Sequence, residues 1–554
     1  MYKHAAKIGF GSLVLAVLLA GCGGSGTKSA EPSVKPAESA NGSAPGTFPI
    51  TKEKTTMRVF AAQKATIENM ETNAFTKMYE DKTNVHIQWE LSPENALAEK
   101  RKLSLASGDL PDFYLGANIA KDEEILYGSQ GIFLPLNDLI NKHTKWIKET
   151  LESDPIVKQS VTAPDGNIYS LPFAQNTFHA TYPSKLWINS KWLKKLNLQM
   201  PTTTDELYKV LKAFKENDPN GNGKKDEIPF MAEAITGGYG FIDVLMNSFI
   251  GYGGAEPTMR LFIKDGKLDV AYNKPEWKKG LEFLRKLYSE GLLDSTVFSA
   301  TNAQVKQLAE KADAETIGVF VANWPGVYFN AAGTRVNDYS PVAPLKGPDG
   351  VQSAIWTPYI SSSGQFVLTK YAKDPVAAIR WADWFYSREG ALQARIGREG
   401  IEWRAANPGE LNAAGKPATW TKLAPINTTQ NFFWSQWNTA MNFLIQGEQT
   451  AADDIYSPAG LEKRLYQATL LYEPYKPKEV LPTLYIPADE TKKIVQSKTD
   501  VKSYVDEYIV RFATGEKDLS KDWDAYLKNF DNLGLKEVIA VYQKAYDNFK
   551  KNSK

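Results

Sequence analysis

Cysteine is nearly missing from this chain: Cys22 is the single one among 554 residues. An intramolecular disulfide, a thiolate metal cluster and a second cysteine nucleophile are therefore excluded. Histidine is scarce as well, and His86, His143 and His179 are scattered without zinc-ligand spacing. Neither charge is in excess, with 65 Lys and Arg against 64 Asp and Glu, so there is no basic field for nucleic acid. Past the N-terminus no apolar run is long enough to cross a bilayer. The sequence has no Gly-x-Ser-x-Gly nucleophile elbow, no phosphate-binding Gly-Lys-Ser/Thr loop and no repeat of fixed period.

What is present begins with Lys3 and Lys7, followed by an apolar stretch from Leu13 to Leu19 too short to span a membrane. This is the pattern of a signal peptide over residues 1–21. Leu19-Ala20-Gly21-Cys22 resembles the lipobox of bacterial lipoproteins, which implies that Cys22 is diacylated, with chains such as palmitate, and begins the mature protein. The alternative is an ordinary cleavage site with a chance cysteine. Loss of Lys3 and Lys7 leaves 63 basic against 64 acidic side chains. Residues 22–55 are rich in Gly, Ser, Ala, Pro, Lys and Glu, with almost no large apolar side chain before Phe48, and are expected to form a flexible tether. Such a tether reaches on the order of 30 Å. The expected location is the extracellular face of the cell membrane, held through the lipid, with the folded part a monomer.

The remainder is long enough for at least two domains. Strands are predicted at Thr56–Phe60, Val85–Trp89 and Asp112–Leu115, with helices at Thr66–Tyr79 and Ala96–Ala106 between them. This alternation implies a parallel sheet covered by helices. Thr203 and Glu206 have capping-box spacing ahead of Leu207, Val210, Leu211 and Phe214, a helical stripe. Asp374-Pro375 supplies an N-cap and an N1 proline for a helix running to Gly390. From about Pro458 the composition is largely helical.

Three stretches carry a family resemblance. Ser184 to Asn189, Trp192 to Leu198 and Pro201 to Leu207 together resemble the signature of family 1 extracellular solute-binding proteins, the cargo receptors of carbohydrate ABC importers. Ser107 to Asp112 resembles that family's turn into its third strand, and Ile317 to Phe320 with Asn323-Trp324-Pro325 its path into the ligand cleft. The resemblance implies an α/β, two-lobed periplasmic-binding-protein-like fold with a hinge, discontinuous lobes and additional C-terminal helices. The first lobe is expected over 56–175 and 352–403, the second over 176–351 and 404–554. Crossings are expected near Phe173 to Thr181, near Gln352 to Ser361 and after about Trp403, with ligand in the cleft at the strand ends.

Asp218-Pro219-Asn220-Gly221-Asn222-Gly223-Lys224-Lys225-Asp226-Glu227 is the sharpest chemical motif. Asp218, Asn220, Asn222, Asp226 and Glu227 place oxygens at loop positions suited to a hard cation, with the Lys224 carbonyl available between them. Pro229 stands where an EF-hand has its bidentate glutamate, so two-toothed binding would fall to Asp226 or Glu227. The loop also resembles the calcium site of alginate-binding receptors, and the expected cofactor is a structural Ca²⁺. A plain polar turn after a helix is the competing reading.

Sugar binding needs flat apolar faces and planar polar groups. Among fourteen tryptophans, Trp277, Trp381 and Trp384 read as core. Trp324 lies where the resemblance implies a sugar-stacking tryptophan. It joins Trp403, Trp434 and Trp437, in loop-like contexts, as candidates for either the cleft or the core. Gln63, Asn118, Asn176 and Tyr359 are candidate hydrogen-bonding residues. The expected partners are an oligosaccharide and an ABC importer permease, with no catalysis. A lipid-anchored glycoside hydrolase or polysaccharide lyase is the rival, since paired carboxylates need only meet in space, and a surface adhesion or sensory lipoprotein is a third reading.

Overall fold

A computed structural model describes residues 43–552 apart from 176, 235–238, 312–314, 331–332, 358–359, 425–428 and 435–439. Cys22, Asn176, Tyr359 and Trp437 therefore lie outside the described residues, as do the signal segment and the start of the tether. In chain order the strands are β1 (Thr55–Gln63), β2 (Val85–Pro93), β3 (Phe113–Leu115), β4 (Leu171–Gln175), β5 (Lys185–Asn189), β6 (Ile228–Phe230) and β7 (Leu261–Lys264). They continue with β8 (Lys267–Val270), β9 (Ile317–Ala322), β10 (Tyr339–Val342), β11 (Ile360–Leu368), β12 (Trp403–Ala405), β13 (Trp420–Lys422) and β14 (Met441–Asn442).

Two sheets organise the molecule. The first runs β14-β4-β11-β3-β1-β2, all parallel except β11. Alternation along β1 sends Val59 and Ala61 into one core and Phe60 and Ala62 into another, so both faces are covered. The second runs β10-β5-β9-β6, with β5 antiparallel to the rest. Leu186 and Ile188 face one core there and Trp187 the other. These are the two lobes of the expected fold. The C-terminal helices Ala488–Thr514, Leu519–Asn532 and Leu535–Asn552 pack into the core that also holds Trp277 and Leu281 of helix Pro275–Ser289.

Local signals hold where the chain needs only its neighbours. Thr203 Oγ1 accepts from Glu206 N at 3.1 Å, and the Glu206 carboxylate accepts from Thr203 N in return, closing the capping box on helix Thr204–Glu216. Asp374 Oδ1 accepts from Ala377 N at 2.9 Å and starts helix Pro375–Asp383. That helix ends sooner than expected, because a 3₁₀ turn follows and Ser387 caps a separate helix, Arg388–Arg395.

Three expectations are corrected. The helix expected over 66–79 begins only at Ala74, since Asn69 Oδ1 accepts from Glu71 N and Thr72 N and holds a turn. Glu68 N donates to Gln430 O and Asn69 N to Asn431 Oδ1, tying that turn to a segment far along the chain. The tether is also shorter than 22–55. From Ser43 the chain is docked on the first lobe, where buried Arg380 donates to Ser43 Oγ, Ala44 O, Thr47 O and Ile50 O.

The third correction concerns the last crossing. The chain passes from the first sheet to the second between β4 and β5 and returns between β10 and β11, but Trp403, Trp420, Phe433 and Met441 all remain in the first-lobe core, and β14 pairs with β4. The segment expected to open the second lobe at 404 therefore stays with the first sheet to Phe443. Trp420 Nε1 donates to Ile445 O, Asn412 Nδ2 to Gly447 O, and Thr419 N to Glu448 O, so the β12–β13 excursion grips the chain as it leaves. Helix Leu461–Leu470 then packs on the second sheet through Leu465 and Ala468.

Candidate functional site

Gln175 is the last residue of β4, at the edge where the parallel strands of the first sheet end, which is where open α/β sheets hold ligands. Its Nε2 donates to Thr177 Oγ1 at 2.9 Å and to Gln446 Oε1. The Gln446 amide also lies near the Glu462 carboxyl group on helix Leu461–Leu470 and favours its charged form. Gln175 and Gln446 thus tie the end of the first sheet to the last crossing, beside the second-lobe helix that carries Glu462. His179, on the first crossing, brings Nδ1 to 3.6 Å from Glu462 Oε2, and both side chains keep some exposure, 14% and 19%.

Burial sets the charges here. It pushes the Glu462 carboxyl above the usual carboxylate range, against the nearby Lys422 cation. It also lowers His179 to about 3, helped by Lys185, so the imidazole is neutral at physiological pH. Lys185 is lowered to about 7 by its own burial. Its Nζ donates to His179 O at 3.0 Å and Tyr182 O at 2.7 Å, fixing the first crossing from within.

The second sheet adds an aromatic face. Lys185 pairs with Ala322 at the end of β9, so Asn323 and Trp324 follow directly beyond the sheet on the side of the first crossing. Trp324 is half-buried and packs on the core that Leu461 also joins. Its indole lies against Gly326, where a Cβ would stand 2.0 Å from the ring. Asn323 Oδ1 is buried with no hydrogen-bond partner, an acceptor available for a ligand hydroxyl. Amides, a neutral imidazole and a carboxyl group gather on the crossings, and an indole with an unpaired amide oxygen follows the second sheet on the side of the first crossing, groups suited to a polyhydroxylated solute.

The other candidates fall differently. Trp434 is 1% exposed inside a cluster with Phe75, Phe385 and Trp381, and its Nε1 donates to Thr76 Oγ1 at 3.0 Å. Trp403 is 7% exposed and donates to Gly397 O. Of the two placements open to Trp403 and Trp434, the structure shows the core one for each, with the indole walled in by the first-lobe core. Gln63 ends β1, is exposed and borders a cavity. Asn118, beyond the end of β3, is exposed and in the left-handed region at φ 51°, with Oδ1 accepting from Gln365 Nε2 at 2.8 Å. Sequence reasoning missed Gln175, Gln446 and Glu462, which no local motif marks.

The loop 218–227 lies between helix Thr204–Glu216 and β6. Asp218 accepts from Gly221 N, Asn222 N and Gly223 N, which holds its carboxyl below the usual range. Asp226 Oδ1 accepts from Asn220 Nδ2 at 3.1 Å and Asn222 Nδ2 at 3.0 Å. Glu227 stands apart: both its carboxylate oxygens are buried without a hydrogen-bond partner, while its own N–H and that of Asn220 face it without reaching bonding geometry. Burial raises its pKa, with Asp218 and Asp226 adding to the shift. Among the described residues no three His, Cys, Asp or Glu side chains converge into a ligand cage. The donor set of this loop, carboxylates with amide oxygens, nonetheless fits a hard cation, and the orphaned Glu227 is the observation that asks for one.

The fold and junction define a two-lobed solute receptor. The chain belongs to the bacterial extracellular solute-binding protein family, whose model matches residues 56–392. It is similar to the fructooligosaccharide ABC transporter substrate-binding protein FusA of Streptococcus pneumoniae, 29% identical over 529 residues, covering 91% of this chain and 92% of that protein. The structure of FusA with kestose superposes with a TM-score of 0.72 at 26% identity, covering 90% of this chain and all of that one. FusA has also been solved as an EF-hand mutant with fructo-nystose, at a TM-score of 0.71. The alginate-binding protein AlgQ2, solved without calcium ion, is 26% identical with a TM-score of 0.65, over 90% of this chain and 99% of that one. Among the described residues no helix is long and apolar enough to cross a membrane.

Proposed function

We propose that this protein is a non-enzymatic, lipid-anchored receptor that captures an oligosaccharide between its lobes and delivers it to an ABC importer permease. The Gln175–Gln446 amide bond, with His179 brought to 3.6 Å from Glu462 of the second-lobe helix, supports the reading, because residues of both lobes come together there. A ligand bridging Asn323, Trp324 and these groups has its full contacts only when the lobes are closed, so binding shifts the population toward closure. Gln63, Asn118, Asn176 and Tyr359 are the further polar candidates of the cleft. The first lobe comprises the first sheet with its chain to Phe443, and the second lobe the second sheet with the C-terminal helices. Cys22 carries the lipid, and the shortened tether leaves the first lobe at Ser43. Asp218, Asn220, Asn222, Asp226, Glu227 and the Lys224 carbonyl would hold a structural Ca²⁺, which neutralises the clustered carboxylates and stiffens the loop. None of the relatives described above is named as a hydrolase or lyase. Tryptophan fluorescence of the mature chain, titrated with neutral and acidic oligosaccharides and followed by product analysis, tests the proposal. A saturable change with intact sugar is expected, whereas cleaved sugar or no response to any oligosaccharide would overturn it.

A further inference from the structure

Asp218, Asp226 and Glu227 gather three carboxyl groups in one loop, and the chain brings cations of its own to them. Lys224 and Lys311 act through their charge on Asp226, and Lys195 on Asp218. Lys195 is in addition bonded to the loop. Its Nζ donates to Asp218 O at 3.0 Å, across 23 positions of sequence.

Buried packing sets the root of this lysine. Asn189 Oδ1 accepts from Trp192 N at 3.1 Å and starts helix Ser190–Lys195, which Lys195 ends. Trp192 is buried and meets Phe214 edge-on, with ring centroids 5.2 Å apart. Phe214 belongs to helix Thr204–Glu216, which leads into the loop. Two packed helices therefore hold Lys195 and Asp218 at a fixed separation. The loop also leaves room for the ammonium: Gly221 stands at φ 77°, and a Cβ there would come 2.7 Å from Lys195 Nζ. A side chain at 221 would have to push the amine away.

The lysine has two opposing effects on a divalent ion. Carboxylates gathered in one loop repel one another unless cations lie among them, so the ammonium helps to hold the loop in the shape the ion needs. The same ammonium repels the ion. Its hydrogen bond goes to a neutral carbonyl in contact with solvent and contributes little, whereas its charge acts on a divalent ion with twice the strength it has on a monovalent one. Repulsion therefore outweighs the shaping. We propose that Lys195 is a resident counter-cation of this loop, which steadies it without metal and weakens its hold on Ca²⁺. The inference rests on the calcium reading of the loop and adds a residue, outside the loop, that sets how tightly the ion is held.

Calorimetric titration of Ca²⁺ into the metal-stripped, mature full-length protein at low ionic strength tests it. Lys195→Gln should tighten calcium binding about tenfold, while Lys195→Arg, which keeps the charge, should bind as the wild type does. Lys194→Gln removes the same charge from the neighbouring exposed position and should give a much smaller gain. Melting supplies a second readout: metal-stripped Lys195→Gln should melt below the wild type, and its rise in Tm on adding calcium should be larger. In about 1 M salt, where the screening length falls to about 3 Å, the difference in affinity between Lys195→Gln and wild type should shrink. Calcium affinity unchanged or weaker in Lys195→Gln, an equal gain from Lys194→Gln, or a gain undiminished in high salt would overturn the inference and leave the calcium site standing. If neither the wild type nor Lys195→Gln binds calcium, the calcium reading fails and the inference falls with it.

Discussion

Tyr485 donates its phenolic hydrogen to Glu124 Oε2 at 3.1 Å, and this bond ties the two lobes together outside the three crossings. Leu484 and Ile486 pack into the second-lobe core, whereas Tyr485 between them packs against the first-lobe core. An extended segment alternates its faces, so three successive residues serve both lobes. The Lys121 ammonium sits 3.7 Å from the centroid of the Tyr485 ring, and Ser170 Oγ donates to Glu124 Oε1 at 2.8 Å. Ser170 Oγ also accepts from Gly364 N, within the irregular part of β11 where φ is 70° and a Cβ would strike Ile119 O.

Removing only the hydroxyl should loosen this tie. Tyr485→Phe is expected to cost about 1–2 kcal/mol, the worth of one hydrogen bond to a buried carboxyl group. Small-angle scattering of the ligand-free variant should show a larger radius of gyration than wild type. An unchanged radius together with an unchanged Tm would mean that the contact does not restrain the lobes.

The same carboxyl gives a pH dependence with a definite sign. Burial raises Glu124 from 4.5 to about 7, with Asp122 adding to the rise and Lys121, Ser170 and Tyr485 opposing it. The native state thus keeps a proton that the unfolded chain has released, so this group's stabilisation is full below about 4.5 and is lost as pH rises through about 7. The loss is of order 3 kcal/mol at 1.36 kcal/mol per pKa unit. Denaturant titrations across that window should show stability falling in the wild type and a flatter profile in Glu124→Gln. Identical slopes would remove Glu124 from the account.

Calcium should act through Glu227. Added to metal-stripped protein at a hundredfold excess over Kd, it is expected to stabilise by about 2.7 kcal/mol, a Tm rise of roughly 2–4 °C. Glu227→Gln and Asp218→Ala should each abolish the rise. Glu227→Gln should also titrate differently before any metal is added, because a carboxyl raised by burial is replaced by a neutral amide. A calcium response that persists in both variants would place the ion elsewhere.

Legibility in the sequence followed the range of the interactions. The capping box of Thr203 and Glu206, the Asp374-Pro375 cap and the helical stripe of Leu207, Val210, Leu211 and Phe214 depend on residues a few positions apart, and all three are present. The first helix starts later than its local pattern implies because Asn69 and Gln430, some 360 positions apart, decide where it begins. Arg380 likewise shortens the tether from across the chain. The last crossing lies later than expected because Trp420 and Met441 are claimed by a core built chiefly from residues before 180 and between 366 and 396. The expectation for Trp324 rests on a local resemblance, whereas Gln175, Gln446 and Glu462 become neighbours only after two crossings have folded.

The tryptophans supply a direct contrast between core and cleft. Trp434 lies between Phe75 and Phe385, with ring centroids at 5.0 and 5.3 Å, and has no open face. Trp434→Ala should therefore cost about 3–5 kcal/mol of stability, as large aromatic truncations in packed cores do. The surviving folded fraction should bind ligand with little change in affinity. Trp324 is half-buried at the end of β9 and can offer a ring face to a solute. Trp324→Ala should weaken ligand binding tenfold or more, about 1.4 kcal/mol, with a smaller loss of Tm than Trp434→Ala. Chemical denaturation and calorimetry on the two variants decide the matter. If Trp434→Ala were stable but unable to bind, its indole would have to leave the core to meet the ligand, and the division between structural and ligand-facing aromatics drawn here would be reversed.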